Sequence, residues 1–183
     1  FSGTGTTPLA AAELGLVGQS VDINPFLVWL GNAKIRNYEE DSILSCAKEV
    51  SRIIAASRDH LDFQGLWQPS LHNIERWWSA GALAALKAIR SLSLSVNGES
   101  RDLLDVIFCR TLIKASNAAF NHPSMSFKKD SDTPVLFELD DYERTLSVFE
   151  EEATVILSSS RFDLEEGSGK VVLGDSREIV KGL

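Results

Sequence analysis

A chain of 183 residues, 44% of them hydrophobic, can bury a core and suits one domain or one domain carrying a large insertion, which excludes disorder as the starting assumption. Its formal net charge of −8 argues against a broadly basic nucleic-acid-binding surface, since phosphate contact draws on Lys and Arg. No apolar run reaches the roughly 18 residues that cross a bilayer, and no leader-like pattern is recognisable, so the expectation is a cytoplasmic protein with no membrane partner.

The chain opens on Phe1-Ser2-Gly3-Thr4-Gly5-Thr6-Thr7-Pro8, a glycine-rich turn. An Ala- and Leu-rich run from Leu9 to Leu14 follows and is predicted helical, with Pro8 suited to the first turn and Gly15 to the stop. Residues 16–23 read as a strand closed by the turn signal Asn24-Pro25. Residues 26–38 read as a second helix. Turn, helix, strand, helix is the order of an α/β sheet with parallel strands.

The pattern then changes. Residues 39–161 contain long helical stretches, near 42–58, 74–94, 100–120 and 140–159, and no convincing strand. In the first of these Ile43, Ala47, Val50, Ile53 and Ile54 recur every three or four positions. Residues 132–152 hold eight acidic residues and one arginine, and so concentrate most of the negative charge. The run from Glu138 to Glu152 is read as a solvated helix face turned away from any phosphate backbone, in preference to an acid/base pair. After a turn at Gly167-Ser168-Gly169, residues 170–173 read as a buried strand ending in Gly174-Asp175. A βαβ crossover needs only a dozen or more residues, so the helical block is an insertion in a doubly wound sheet. The strands near 17–22 and 170–173 are expected to pair in parallel.

A glycine turn, a helix and a strand closed by an acidic residue form a general device for holding a ribose-bearing cofactor. Gly3 and Gly5 let a ligand approach bare backbone, and Asp22 follows Gly5 by 17 positions, near the spacing expected of a carboxylate that accepts ribose hydroxyls. Pro8 stands where a dinucleotide fingerprint wants Gly or Ala, and a triphosphate loop is absent. S-adenosylmethionine, which has no phosphate, meets neither objection.

Phe1 to Thr7 resembles the F-x-G-x-G-T-T signature of site-specific amino methyltransferases acting on DNA, Val21-Asp22-Ile23-Asn24-Pro25 resembles their acidic motif, and Gly174-Asp175-Ser176 their third cofactor motif. The likeness is strong over residues 1–38, fair at 170–176 and general across the helices. It implies an incomplete Rossmann-like methyltransferase sheet, residues 1–38 and 162–183, with residues 39–161 as a helical insertion that contacts DNA. It implies S-adenosylmethionine as cofactor, with Phe1, Gly3, Gly5 and Thr6 bordering the methionine part, Asp22 the ribose, Ile23 a face of the adenine and Asp175 its amino group. The family's catalytic Pro-Pro-aromatic element, which holds a flipped-out base, has no counterpart, and Asn24-Pro25-Phe26 lacks the second proline. No catalytic residue is therefore assigned. The chain is expected to be an inactive fragment of an enzyme that methylates an exocyclic amine of adenine or cytosine, with its catalytic motif beyond Leu183. DNA is the implied partner of the intact parent, and a restriction endonuclease a candidate companion. An RNA amino methyltransferase and a catalytically dead cofactor-binding or interaction module are the alternatives.

Within the insertion, Asn121, His122, Ser124, Lys128 and Lys129 lie on a polar and basic stretch suited to DNA contact, against the alternative of a solvated loop. Trp67, Trp77 and Trp78 are assigned to packing in preference to a nucleic-acid surface. Cys46 and Cys109 are read as reduced structural thiols, and His60, His72 and His122 lack metal-ligand spacing.

Overall fold

A computed structural model describes residues 2–59, 65–119, 126–127, 138–160, 164 and 169–179. In chain order the elements are α1 (Thr6–Glu13), β1 (Gly18–Asp22), α2 (Pro25–Ile35), α3 (Glu40–Arg58), α4 (Ile74–Trp77), α5 (Ala80–Ser93), α6 (Glu99–Lys114), β2 (Ala118–Ala119), β3 (Ser126–Phe127), α7 (Glu138–Ser159), β4 (Gly169–Leu173) and α8 (Ser176–Ile179). The protein is mostly helical with a small parallel sheet, broadly α/β. It divides into two compact units, Phe1–Ile43 with Ser158–Leu183, and Leu44–Leu157. Among the described residues no helix is long and apolar enough to cross a membrane.

In the first unit, β1 and β4 pair in parallel, as expected, in a register running from Gly18 opposite Gly169 to Asp22 opposite Leu173. The Gly174 N–H donates to the Asp22 carbonyl at 3.0 Å and so extends the ladder by one bond. Backbone groups alternate sides along a parallel strand. With Asp22 bonded toward β4, the N–H and C=O of Gln19 and Val21 point to the opposite edge, where no described residue meets them. On β4 the alternate residue Val171 turns its backbone groups outward, and there the Asn32 side chain takes both: Asn32 Nδ2 donates to the Val171 carbonyl at 2.8 Å, and the Val171 N–H donates to Asn32 Oδ1 at 2.9 Å. Asn37 clamps Leu164 in the same two-bond manner.

Ala12 of α1, Ile35 of α2, Leu164 and Val171 form the core of this unit, with Leu9 and Val28 packed on it. This corrects the expectation of a buried strand at 170–173. Both helices lie against the side on which Val171 points, so Val171 is buried while Val172, on the opposite face, is 36% exposed, and Leu173, at the end of the strand, is 58% exposed. Boundaries shift modestly too. The first helix starts at Thr6, before Pro8, and α2 ends at Ile35 because Arg36 turns extended (φ −68°, ψ 134°), which frees Asn37 for Leu164.

The second unit is a helical assembly around Ile53, Ile89, Leu103, Leu104, Ile107, Leu146 and Phe149, all shielded from solvent. Three-to-four-residue spacing gives α3, α5 and α7 one apolar face each, α6 buries Leu103, Leu104 and Ile107, and α5, which buries Ala82, Ala85 and Ala88, lies in contact with α6. Several expectations are corrected here. The single helix over 74–94 is broken, since Trp78 is extended (φ −139°, ψ 139°) and Ser79 starts a new helix by accepting the Ala82 N–H at 3.3 Å. The helix over 100–120 stops at Lys114, and Ala118–Ala119 pairs antiparallel with Ser126–Phe127, so the insertion does contain a strand pair. Trp67 is 71% exposed and does not pack, whereas Trp77 meets the Phe127 ring edge-on at 5.1 Å and the Trp78 indole donates to the Leu112 carbonyl at 3.0 Å. The acidic face of α7 is not uniformly solvated: Glu152 is fully buried and ion-paired with Arg110 and Lys114 of α6.

Candidate functional site

Parallel register brings the end of β1 and the end of β4 to one side of the sheet, and there the chain gathers Asp22, Ile23, Gly174 and Asp175. The opening turn joins them. Gly3 and Gly5 both adopt positive φ, 53° and 72°, which only glycine takes without strain. A hydrogen bond from the Gly5 N–H to the Ser2 carbonyl at 3.1 Å closes the turn, and Gly5 begins α1. The turn is held against α2 at bare backbone, because a Cβ on Gly5 would sit 2.7 Å from the Gly31 Cα. Gly3 faces open space instead, with nothing within 4 Å of where its Cβ would stand.

The Asp22 carboxylate ties turn and strand together. Its Oδ2 accepts the N–H groups of Ser2 and Gly3, each at 3.1 Å, and its Oδ1 accepts the Asn24 N–H at 2.9 Å. The Asn24 amide, then those of Gly3 and Ser2, hold the carboxyl below the usual aspartate range against the opposing effect of burial. Each carboxylate oxygen can accept about two hydrogen bonds, so Oδ2 is filled and Oδ1 has capacity for one more. The residue is 7% exposed, so any further donor reaches it by a narrow approach.

Around this anchor the residues differ in accessibility. Ile23 is 67% exposed and Phe26 48%, the latter beside the Trp29 ring at 5.6 Å. Thr6 sits at the head of α1 with its side chain exposed. Asp175 accepts the Arg177 N–H at 2.9 Å, thereby starting α8, and grips the Arg177 guanidinium, whose Nε lies 3.0 Å from each oxygen. That guanidinium, with the Arg177 N–H, lowers the Asp175 pKa. Toward any ligand, Asp175 thus acts in competition with its own neighbour.

Gly3, Gly5, Thr6, Asp22, Ile23 and Asp175 are therefore brought to one end of the parallel pair. Phe1 lies outside the described residues, as do Asn121, His122, Ser124, Lys128 and Lys129. Of that second stretch Phe127 is described, and its ring lies under the Arg76 guanidinium at 4.4 Å. Sequence reasoning missed Ser2 and Ser20, whose hydroxyls bond at 2.9 Å, and Lys34, whose Nζ donates to the Thr4 carbonyl at 2.9 Å. It also passed over the helix-starting role of Asn24, whose Oδ1 accepts the Phe26 N–H at 3.0 Å. Asn before Pro is a recognisable helix-start signal; nothing local marks Lys34 or Ser20.

No protein-family model, characterised protein or solved structure matches this chain.

Proposed function

We propose that the turn and the carboxyl ends of β1 and β4 bind S-adenosylmethionine, and that the chain is the cofactor part of a Rossmann-like methyltransferase that modifies an exocyclic amine in DNA. The observation that carries the reading is the Asp22 carboxylate fastened on the Ser2 and Gly3 amides, which couples the strand-end acid to the glycine turn. In open α/β sheets ligands settle outside the carboxyl ends of the strands.

The residues fit such a cofactor in part. Gly3 leaves the backbone bare beside open space, exposed Ile23 offers an apolar face to a purine, and Asp22 Oδ1 can accept one ribose hydroxyl. A second hydroxyl on Asp22 requires a turn amide to yield. When bound, S-adenosylmethionine supplies an electrophilic methyl group; this chain's residues bind and orient, and none is assigned to the transfer. The helical insertion, residues 39–161, is the DNA-contacting part in this reading. A non-catalytic interaction module on the same framework is favoured by one observation, that three backbone amides already engage Asp22.

Calorimetric titration of the chain with S-adenosylmethionine tests the proposal. Saturable binding is expected, weakened at least tenfold by Ile23→Asp, a change at an exposed position that leaves the turn intact. Absence of binding, or equal affinity in the variant, overturns it.

A further inference from the structure

Trp67, Leu94, Lys87, Arg90 and Ser91 line a surface groove of about 340 Å³ in the helical unit. That size is at the small end of ligand-holding clefts, roughly 300–1,000 Å³. Of the chain's four tryptophans, the other three are at least half-covered, while Trp67 is 71% exposed and Leu94 beside it 59%. A single exposed apolar side chain needs no explanation. An exposed indole flanked by two cations is a more specific arrangement.

The charge around the groove is unlike that of the chain as a whole. Helix α5 carries Lys87 and Arg90 and no acidic residue, in a protein of net charge −8. Lys87 has no ion-pair partner among the described residues. Arg90 binds Asp105 through Nη1 at 2.9 Å, which leaves its other N–H donors uncommitted to that carboxylate. At the end of α5, Arg52 Nη2 donates to the Leu92 carbonyl and Arg101 Nη1 to the Ser93 carbonyl, each at 3.0 Å, where cations complement the helix terminus. Among the described residues, Glu49 pairs with Arg52, and Asp105 pairs with both Arg90 and Arg101.

We propose that this groove holds a single strand of nucleic acid, with one base stacked on the Trp67 indole and its flanking phosphates at Lys87 and Arg90. A flat aromatic surface next to positive charge meets the two invariant features of such a strand, the π-face of each base and the backbone phosphate. Protein partners also use exposed tryptophan, but the charged residues among the described lining, Lys87 and Arg90, are both cationic, which matches a polyanion. The site is separate from the proposed cofactor site and does not depend on it.

The test is fluorescence anisotropy of a labelled single-stranded oligonucleotide with the full chain, across a salt series and without S-adenosylmethionine. Trp67→Ala is expected to weaken binding roughly 5- to 150-fold. Lys87→Ala is expected to reduce the slope of log affinity against log salt by about 0.7. Because Trp67 and Lys87 are not core residues, circular dichroism should show both variants folded, and Leu94→Glu gives an independent third probe by placing an anion in the groove. The proposal is overturned if the chain does not bind the strand, if all three variants bind as the parent does, or if a duplex of the same sequence binds equally well, since paired bases present no free face. The failure of this experiment leaves S-adenosylmethionine binding untouched, and the reverse holds as well.

Discussion

The Asn32 side chain forms a closed two-bond ring with the backbone N–H and C=O of Val171, 139 positions away, and so takes the place of a neighbouring strand on β4. Val171 is 2% exposed, so water cannot readily replace those bonds. Asn32→Ala strands two buried backbone groups and should destabilise the first unit by about 2–4 kcal/mol, given about 1–3 kcal/mol per orphaned group and partial relaxation. Asn32→Asp should also destabilise, because a carboxylate cannot donate to the Val171 carbonyl. Urea denaturation, followed by hydrogen exchange at the Val171 amide, checks both.

Gly3 and Gly5 share positive φ but differ in surroundings. Gly3→Ala incurs only the left-handed backbone penalty, about 1–2 kcal/mol. Gly5→Ala adds a clash with the Gly31 backbone at 2.7 Å and should be distinctly more destabilising. Thermal melts of the two variants should rank them in that order; equal losses would mean that the approach of the turn to α2 does not constrain it.

The pH dependence of Asp22 follows from its hydrogen bonds. Its folded pKa is lowered, by the Asn24 amide first, so its contribution is present above the ordinary aspartate value, about 3.9, and is lost as pH falls through the folded value. Denaturant midpoints measured from about pH 6 down to pH 3 should decline in the parent. In Asp22→Asn the starting stability should be lower and this component of the decline absent.

Glu152 is the buried acid of the helical unit. Burial alone would raise its pKa, but the hydrogen bonds and charges of Lys114 and Arg110 together outweigh it, and the net shift is downward. Glu152→Ala should cost about 1–3 kcal/mol, below the figure for a wholly buried pair because both cations are about half exposed and can rehydrate. Chemical denaturation of Glu152→Ala and of Arg110→Ala should show the smaller loss in the latter, where Lys114 still pairs with the acid.

Cys46 is inaccessible, and burial, followed by the nearby Glu49 charge, pushes its pKa up to about 12. Burial likewise raises Cys109, with Asp105 adding to it and Arg90 opposing. At pH 8 both thiols should resist alkylation in the folded chain and react fully in urea, as mass spectrometry would register. Prompt native-state labelling of Cys46 would show that α3 opens locally.

Legibility followed the range of the forces. The Gly3–Gly5 turn, β1, and α3 with its Ile53 and Ile54 were readable because periodicity and glycine chemistry act over a few residues. So was the gathering of Asp22, Ile23 and Asp175, since two parallel strands must end on the same side. The break at Trp78–Ser79 was hidden, as the apolar pattern runs on through it and the competing bond from the Trp78 indole goes to Leu112, 34 positions on. The short pairing of Ala118 with Phe127 has too few residues to imprint an alternation. Burial was misjudged at Val172 and Glu152 for one reason: side-chain type records what a residue tolerates, whereas exposure depends on which elements cover it. The Arg177 grip on Asp175 lies only two positions away, yet strand and helix readings attend to backbone signals and pass over such a side-chain pair.

The amide ring at Val171 also gives the small sheet a polarity of growth. A newcomer strand laid along β4 would have to evict Asn32 from two bonds at once, whereas beside β1 no described residue would have to be evicted from the peptide groups of Gln19 and Val21. Any larger sheet assembled on this pair would therefore run β4, β1, newcomer, with the glycine turn and Asp22 at an interior seam of the assembly and not at its rim.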